Sequence, residues 1–268
     1  MTISIIINTK NEQDNIANAL KSILEQTFSK EKMEVIVVDN SSIDKTKEIA
    51  SKFGVQVYNH GPERSAQKNK GVEKSSGKYL FFMDADMILS PGVAAEAVQM
   101  LDQNLDLSGL YLNEKIIGQG LWAKVRDFER SFYSATVIDA VRIVRRDSYN
   151  QVEGFDESLT GPEDWDFDKK IRSIGMVNIL KTVVYHNESK VSLTGMLAKK
   201  KYYTQGFDAY KQKWGNDADV QKQFGFWYRY ARVFTENGKW KKVLAHPVQF
   251  VLVILSKILV GMVYLKNK

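Results

Sequence analysis

Cysteine is absent from the 268 residues. That excludes disulfide frameworks, thiolate zinc sites, iron–sulfur clusters and cysteine nucleophiles, and it gives no sign of an oxidising compartment. No Gly-x-Gly-x-x-Gly follows the first apolar run and no Walker-type Gly-Lys-Ser/Thr occurs, which argues against a dinucleotide-dependent oxidoreductase and a P-loop NTPase. Phosphates, if bound, would then be held by a metal ion and Arg/Lys side chains. Internal repeats and low-complexity linkers are also missing. No charged leader precedes the first apolar run: Thr2 passes directly into Ile3–Ile7, a buried-strand pattern rather than a signal peptide. The expectation is a cytoplasmic N-terminal domain. Composition, with 44% hydrophobic and 26% charged residues, excludes wholesale disorder.

Charge is unevenly placed. The whole chain carries a formal +6, but residues 190–268 hold a net +11 and residues 1–189 a net −5. A basic pI usually points to nucleic acid or an anionic membrane. Here the first two thirds are mildly acidic and contain no nucleic-acid module, so nucleic acid is not expected as a partner. The basic character belongs to a C-terminal segment with its own task.

Short apolar runs alternate with helical patterns at the start. Strands are expected at Ile3–Ile7, Val35–Val38, Val55–Tyr58 and Tyr79–Met83, with helices from about Asn15 to Gln26, Asp44 to Phe53 and Ala66 to Ser75. Continuous apolar strands alternating with helices predict a parallel sheet covered on both faces, a Rossmann-like doubly wound α/β unit. Ligands of such sheets bind beyond the carboxyl ends of the strands. After Asp86 the regularity fades: helices are expected at Val93–Leu101 and Leu121–Ala135, strands at Leu107–Leu112 and Ala140–Val144. An acidic helix opens at 163–168, and a long basic helix is expected at Leu193–Trp214.

Every strand end in the first half delivers polar groups: Asn8-Thr9-Lys10-Asn11-Glu12, Asp39-Asn40-Ser41-Ser42, Gly61-Pro62-Glu63-Arg64-Ser65, and Asp84-Ala85-Asp86. Each loop alone reads as ordinary turn and cap chemistry. Four opening on one edge point to a ligand. Asp84-x-Asp86 suits a hard divalent cation bridging carboxylates to a diphosphate.

These stretches, with Val37-Val38-Asp39-Asn40-Ser41-Ser42-Ile43-Asp44-Lys45-Thr46, Asn69-Lys70-Gly71, Gly154-Phe155-Asp156-Glu157 and Glu163-Asp164-Trp165-Asp166, resemble inverting glycosyltransferases of family 2 with the GT-A fold. The resemblance covers roughly residues 2–215. Asn8 and Lys10 stand where the family often has Pro and Tyr, and Asn40 where a second Asp is frequent; all three border the nucleotide pocket. The resemblance implies a doubly wound mixed sheet over 1–215, with a nucleotide-binding half at 1–90 and an acceptor half at 91–215. It implies that Thr9, Glu12 and Asp39 line the nucleotide and that Arg64 and Asn69 lie near it and its diphosphate. Asp84 would face the ribose and a Mn²⁺ or Mg²⁺ ion, Asp86 would ligate that ion, and Asp164 would be the general base. Glu163 and Trp165 would shape the acceptor and sugar pocket. An inverting transfer is one in-line displacement and needs a base plus help for the leaving diphosphate. The alternative for the acidic run is a solvated helix start matched to the dipole.

His186 follows Val183-Val184-Tyr185. A lone His beside a strand is commonly a structural hydrogen-bonder; the resemblance offers it as a further metal ligand. Lys199-Lys200-Lys201-Tyr202-Tyr203 reads as a solvated helix face or as phosphate contacts through Lys200, Lys201 and Tyr203. Residues 216–268 form a helical extension: aromatics interleaved with Lys/Arg, then an apolar run from Pro247 to Leu265. Gln249, Ser256 and Lys257 fall along one side of that helix, which fits an in-plane or re-entrant membrane helix better than a clean span. The other reading of the segment is a second small core or a dimer face.

Together these observations predict a metal-dependent inverting glycosyltransferase. It would use a nucleoside-diphosphate sugar and a lipid-linked (polyprenyl) glycan acceptor, at the cytoplasmic face of an anionic membrane as a peripheral or monotopic protein. Polyprenyl-phosphate or polysaccharide transfer, and a catalytically silent nucleotide-sugar or partner-binding relative, remain alternatives.

Overall fold

A computed structural model describes residues 1–188 and 202–266. Among the described residues eight strands form one sheet in the order β3-β2-β1-β4-β7-β6-β8-β5. They are β1 Ile3–Thr9, β2 Met33–Asp39, β3 Gln56–Asn59, β4 Tyr79–Asp84, β5 Met87–Leu89, β6 Leu107–Ile117, β7 Ile143–Arg145 and β8 Met176–Asn187. The four N-terminal strands β3, β2, β1 and β4 run parallel. β7 runs antiparallel to β4 and β6, while β6 and β8 pair in parallel. The sheet is thus mixed, as the family resemblance implies, with the first half wound as the apolar runs predict.

Register fixes the candidate edge. Asn8 lies opposite Asp84, Thr9 opposite Asp39, and Asp39 opposite Asn59. Three parallel strands therefore change from apolar to polar at one level, and the polar ends share one rim.

Helices cover both faces: α1 Ile16–Leu24, α2 Thr46–Ser51, α3 Arg64–Glu73, α4 Val93–Gln103, α5 Gly120–Arg130, α6 Arg146–Gln151 and α7 Glu163–Ile174. Alternation along β1 decides which core each residue joins. Ile3, Ile5 and Ile7 pack with Ile16, Leu20, Val93 and Leu101. Ile6 points the other way, to Phe82, Phe155, Phe167 and Ile171. There Phe155 and Phe167 stack with centroids 4.0 Å apart. Gly71 lets α3 approach β1, since a Cβ there would lie 2.2 Å from Ile6 Cγ2.

Beyond β8 come α8 Phe207–Trp214, α9 Ala218–Phe224, a π turn Tyr228–Arg232 leading into Val233–Thr235, α10 Trp240–Ala245 and α11 Pro247–Lys266. The first part of the expected Leu193–Trp214 helix, with Lys199, Lys200 and Lys201, lies outside the described residues; within them a 3₁₀ turn Thr204–Gly206 leads into α8. The segment after 216 is not a detached appendage. Tyr228, Val233, Phe234 and Val253 close a small core with Val125, Phe132 and Tyr133 of α5 and the turn after it. Half of the second-core reading therefore holds for this segment. Among the described residues no helix is long and apolar enough to cross a membrane.

Candidate functional site

The site is assembled at the carboxyl rim of β1, β2 and β4, with α3 and α7 supplying its far wall. Asp84 ends β4. One oxygen accepts from Asn8 Nδ2 at 2.9 Å and the other lies 3.4 Å from Arg142 Nη2. The same Arg142 nitrogen lies 3.4 Å from Asp164 Oδ2. Asp164 Oδ1 accepts from Lys68 Nζ at 2.5 Å, and Lys68 is fully buried. One guanidinium therefore joins the carboxylate at the end of β4 to the expected base on α7. Burial pushes Asp84 and Asp164 upward, but Arg142, Lys68 and Arg64 outweigh it and hold both well below the usual carboxylate range.

Arg64 forms a second bridge. Its Nη2 pairs with the buried Glu163 at 2.7 Å, and its Nη1 donates to Tyr203 Oη at 3.2 Å. The Tyr203 ring lies under the guanidinium at 4.8 Å. Burial and the neighbouring Asp164 charge raise Glu163, against the opposing pull of Arg64. Tyr203 thus lies beside Arg64; Lys200 and Lys201 lie outside the described residues.

Asp86 and His186 form the third element. β5 pairs with β8 so that Met87 faces His186, which sets His186 Nε2 3.0 Å from Asp86 Oδ2. Asp86 Oδ1 is buried and makes no protein hydrogen bond. His186 Nδ1 faces Glu114 Oε2 at 3.9 Å, and Glu114 is paired with Arg130 at 2.9 Å. Burial would lower the imidazole; its bonds to Asp86 and Glu114 outweigh that and lift it to about 10.

A divalent ion can be tested against these donors. Among the described residues no group of three His, Cys, Asp or Glu side chains is gathered as a metal cluster. Mg²⁺-type sites at phosphates need fewer, since they use one or two carboxylates plus phosphate oxygens. Asp86, with its orphaned Oδ1, fits that role, and His186, backed by Glu114 as metal-bound imidazoles are by carboxylates, fits it once an incoming ion displaces the Nε2 proton now shared with Asp86. Asp84 fits it less well, because its oxygens are engaged by Asn8 and Arg142.

Other expected residues are placed as follows. Thr9 is buried, with its hydroxyl making no protein hydrogen bond. Glu12 accepts from Asn15 at 2.7 Å beside it. Asp39 spends its oxygens on the Ser42 amide and hydroxyl, at 2.8 and 2.5 Å, and so shapes the β2 loop. Orphaned polar atoms gather at the rim: Asn8 Oδ1, Thr9 Oγ1, Ser65 Oγ, Asp86 Oδ1 and Arg142 Nη1. Such groups cost stability and concentrate where ligands bind.

Two residues depart from expectation. Asn69 fills all four of its hydrogen-bonding positions inside the protein: its amide donates to Phe155 O and Glu157, and its oxygen accepts from Tyr149 Oη and Phe155 N. With none left for a diphosphate, it pins α3 to the 154–157 loop. Asn69→Ala is expected to lower stability by about 1–3 kcal/mol and to leave nucleoside-diphosphate affinity within twofold, as calorimetry would show. Trp165 donates to Ile138 O at 2.9 Å and packs with Phe207, Tyr210 and Phe224. It anchors α8 and α9 rather than opening as a pocket wall.

Sequence reasoning missed Lys68, Arg142 and Glu114. Lys68 stands next to Asn69 in a motif already quoted, and that adjacency was the available signal. Arg142 and Glu114 carry no local signature.

The model of glycosyl transferase family 2 matches residues 4–152, more than half of the chain. The chain belongs to glycosyl transferase family 2. Within that family it is similar to the glycosyltransferase AglE of Haloferax volcanii, 41% identical over 91 residues, 31% of this chain and 30% of that protein. It is also similar to the GalNAc(5)-diNAcBac-PP-undecaprenol beta-1,3-glucosyltransferase of Campylobacter jejuni, 27% identical over 180 residues, 60% of this chain and 57% of the relative. The matches span 30% or less of the length of the first curated relatives. Among solved structures, the mannosyltransferase PcManGT of Pyrobaculum calidifontis, in complex with GDP-Man and Mn²⁺, superposes with a TM-score of 0.64 at 17% identity. That match covers 97% of this chain and 80% of PcManGT. This family 2 glycosyltransferase accordingly has the mixed, curled sheet of GT-A glycosyltransferase structures.

Proposed function

We propose that the protein transfers a sugar from a nucleoside-diphosphate sugar to a lipid-linked glycan, with inversion, at a membrane surface. The observation that carries the reading is the Arg142 bridge between Asp84 and Asp164 at the rim where Asp86 meets His186. The GalNAc(5)-diNAcBac-PP-undecaprenol in the Campylobacter relative's name and the GDP-Man and Mn²⁺ bound by PcManGT support the substrate classes.

Thr9, Glu12 and the β2 loop shaped by Asp39 line the nucleotide end. Arg64, stacked on Tyr203, lies toward the diphosphate. Asp86 and His186 would hold a divalent ion, which when bound neutralises charge on the departing diphosphate. The acceptor hydroxyl attacks the anomeric carbon as the bond to the diphosphate oxygen breaks, and Asp164 takes the hydroxyl proton. Lys68 and Arg142 keep Asp164 ionised and therefore ready to accept. They also weaken it as a base. A donor diphosphate drawing on Arg64 and Arg142 restores that basicity when the site is filled. Glu163 orients Arg64.

The test is release of free nucleoside diphosphate from UDP- and GDP-sugars, with undecaprenyl-diphosphate-linked glycans as acceptors. Expected is acceptor-stimulated release that stops on chelation with EDTA and returns with Mn²⁺ or Mg²⁺. Undiminished turnover after chelation would overturn the metal role, and no turnover of any donor would overturn the reading.

A further inference from the structure

The C-terminal helix buries a polar stripe and leaves an apolar row exposed. Its polar residues face the protein: Ser256 and Lys257 are buried. Lys257 Nζ donates to Tyr133 Oη at 2.7 Å and to Arg229 O at 3.1 Å, and pairs with Glu129 at 3.4 Å. Phe250, Leu252, Val253 and Ile254 pack inward as well, but a second apolar row faces outward. Leu244 of α10 and Val248, Val251, Leu255, Ile258 and Met262 of α11 are 71%, 68%, 55%, 49%, 45% and 47% exposed. The five on α11 recur every three or four positions, so they form one continuous row along that helix. Soluble proteins rarely leave such a row open, and it marks a partner or a membrane.

We infer that this row is the face by which the protein lies on an anionic lipid bilayer, with α11 parallel to the surface and the row in the acyl boundary. The inference rests on the membrane-surface reading above and assigns its residues. Three observations favour lipid over a second copy. A soluble helix pair carries charged residues beside its apolar seam to set register and partner; here the flanking positions are Leu252, Ile254 and Leu259. Residues 237–268 contain no Asp or Glu, and the exposed Lys241 and Lys242 stand at the α10 end of the row, so two such faces bring together like charge, whereas an anionic leaflet complements it. The exposed Trp240, at 48%, is followed by the exposed Lys241 and Lys242, and Phe226 and Trp227 are 62% and 78% exposed, aromatic and basic side chains suited to headgroups.

A cleft of about 640 Å³ runs between α5, the end of β6 and the α10–α11 corner, where Lys242, His246 and Gln249 line it. On its other side are Ile116 and Ile117, the register partners of His186 and Asn187. A lipid-linked acceptor anchored at this face would thus begin beside the strand that carries His186.

The test is co-sedimentation of the full chain with phosphatidylglycerol-containing and pure phosphatidylcholine vesicles, alongside light scattering without lipid. Wild type is expected to partition to the anionic vesicles. Val251→Asp/Ile258→Asp, at positions 55% and 45% exposed that leave the core intact, should weaken that partitioning by about 10–100-fold, as loss of two side chains buried in the bilayer predicts. Nucleoside-diphosphate binding with Mn²⁺ should be unchanged in this variant, so a failure of the face is separable from a failure of the site. Equal vesicle binding by wild type and variant, no binding by wild type, or a lipid-free dimer that the variant abolishes would each overturn the inference.

Discussion

Asp164→Asn is expected to lower the rate of sugar transfer by about 10²–10⁴-fold, the range general-base catalysis commonly supplies. The amide keeps the shape of the carboxylate and cannot take the acceptor proton. Donor affinity should change little, because the nucleotide end proposed above lies at β1, β2 and the β2 loop, whereas Asp164 stands on α7. The fall should therefore appear in kcat and not in KM for the donor. The substitution also tests the acceptor class. A bare polyprenyl phosphate attacks with an oxygen that is already ionised, so transfer to it would survive the loss of the base. A fall confined to hydroxyl acceptors supports a lipid-linked glycan, and near-full rates with every acceptor would remove Asp164 from the role.

Arg142→Met carries the second large effect. The guanidinium is shared by Asp84 and Asp164, and its loss leaves two carboxylates facing one another with Lys68, Arg64 and, toward Asp84, His186 as nearby cations. Breaking a buried pair by removing one partner typically costs about 3–5 kcal/mol, which for a chain of this size is a fall in Tm of roughly 10 °C. The pH dependence has a definite sign. In the wild type both Asp side chains are held below their ordinary values. Their contribution is thus fully present above the unfolded-state value of about 3.9 and is lost as pH falls through the folded values. In the variant, burial unopposed by Arg142 raises both groups, so they protonate at higher pH. The stability deficit should be largest near neutrality and narrow toward pH 4. A deficit that stays constant across that range in thermal melts would mean that Arg142 acts by packing and not by charge.

The parallel half of the sheet was legible in the chain because strands buried on both faces must be apolar throughout. Ile3–Ile7 and Tyr79–Met83 sit at 0% exposure. β8 was harder to see. It alternates exposed and covered residues and carries Asn178, Lys181 and Thr182, so its pattern lacks a continuous run. β5 is three residues long, too short for any period to register. Within the site, carboxylates at strand ends announced themselves by position. Their counter-ions did not: Lys68 and Asp164 are 96 positions apart, and only the packing of α3 against α7 brings them together. Likewise the period of α11 showed which residues share a side but not which side meets the protein. Glu129 and Tyr133, reaching Lys257 from α5 and the turn after it, decide that.

The central claim is that the rim of β1, β2 and β4 binds a nucleoside diphosphate together with a divalent ion held by Asp86. Calorimetric titration of UDP and GDP, each with and without Mn²⁺, into wild type and Asp86→Ala tests it most directly. One of the two nucleotides should bind wild type with Mn²⁺ at least tenfold tighter than without it, and Asp86→Ala should abolish that difference while retaining its fold. Metal-independent binding, an Asp86→Ala protein that keeps the full Mn²⁺ effect, or no binding of either nucleotide would contradict it.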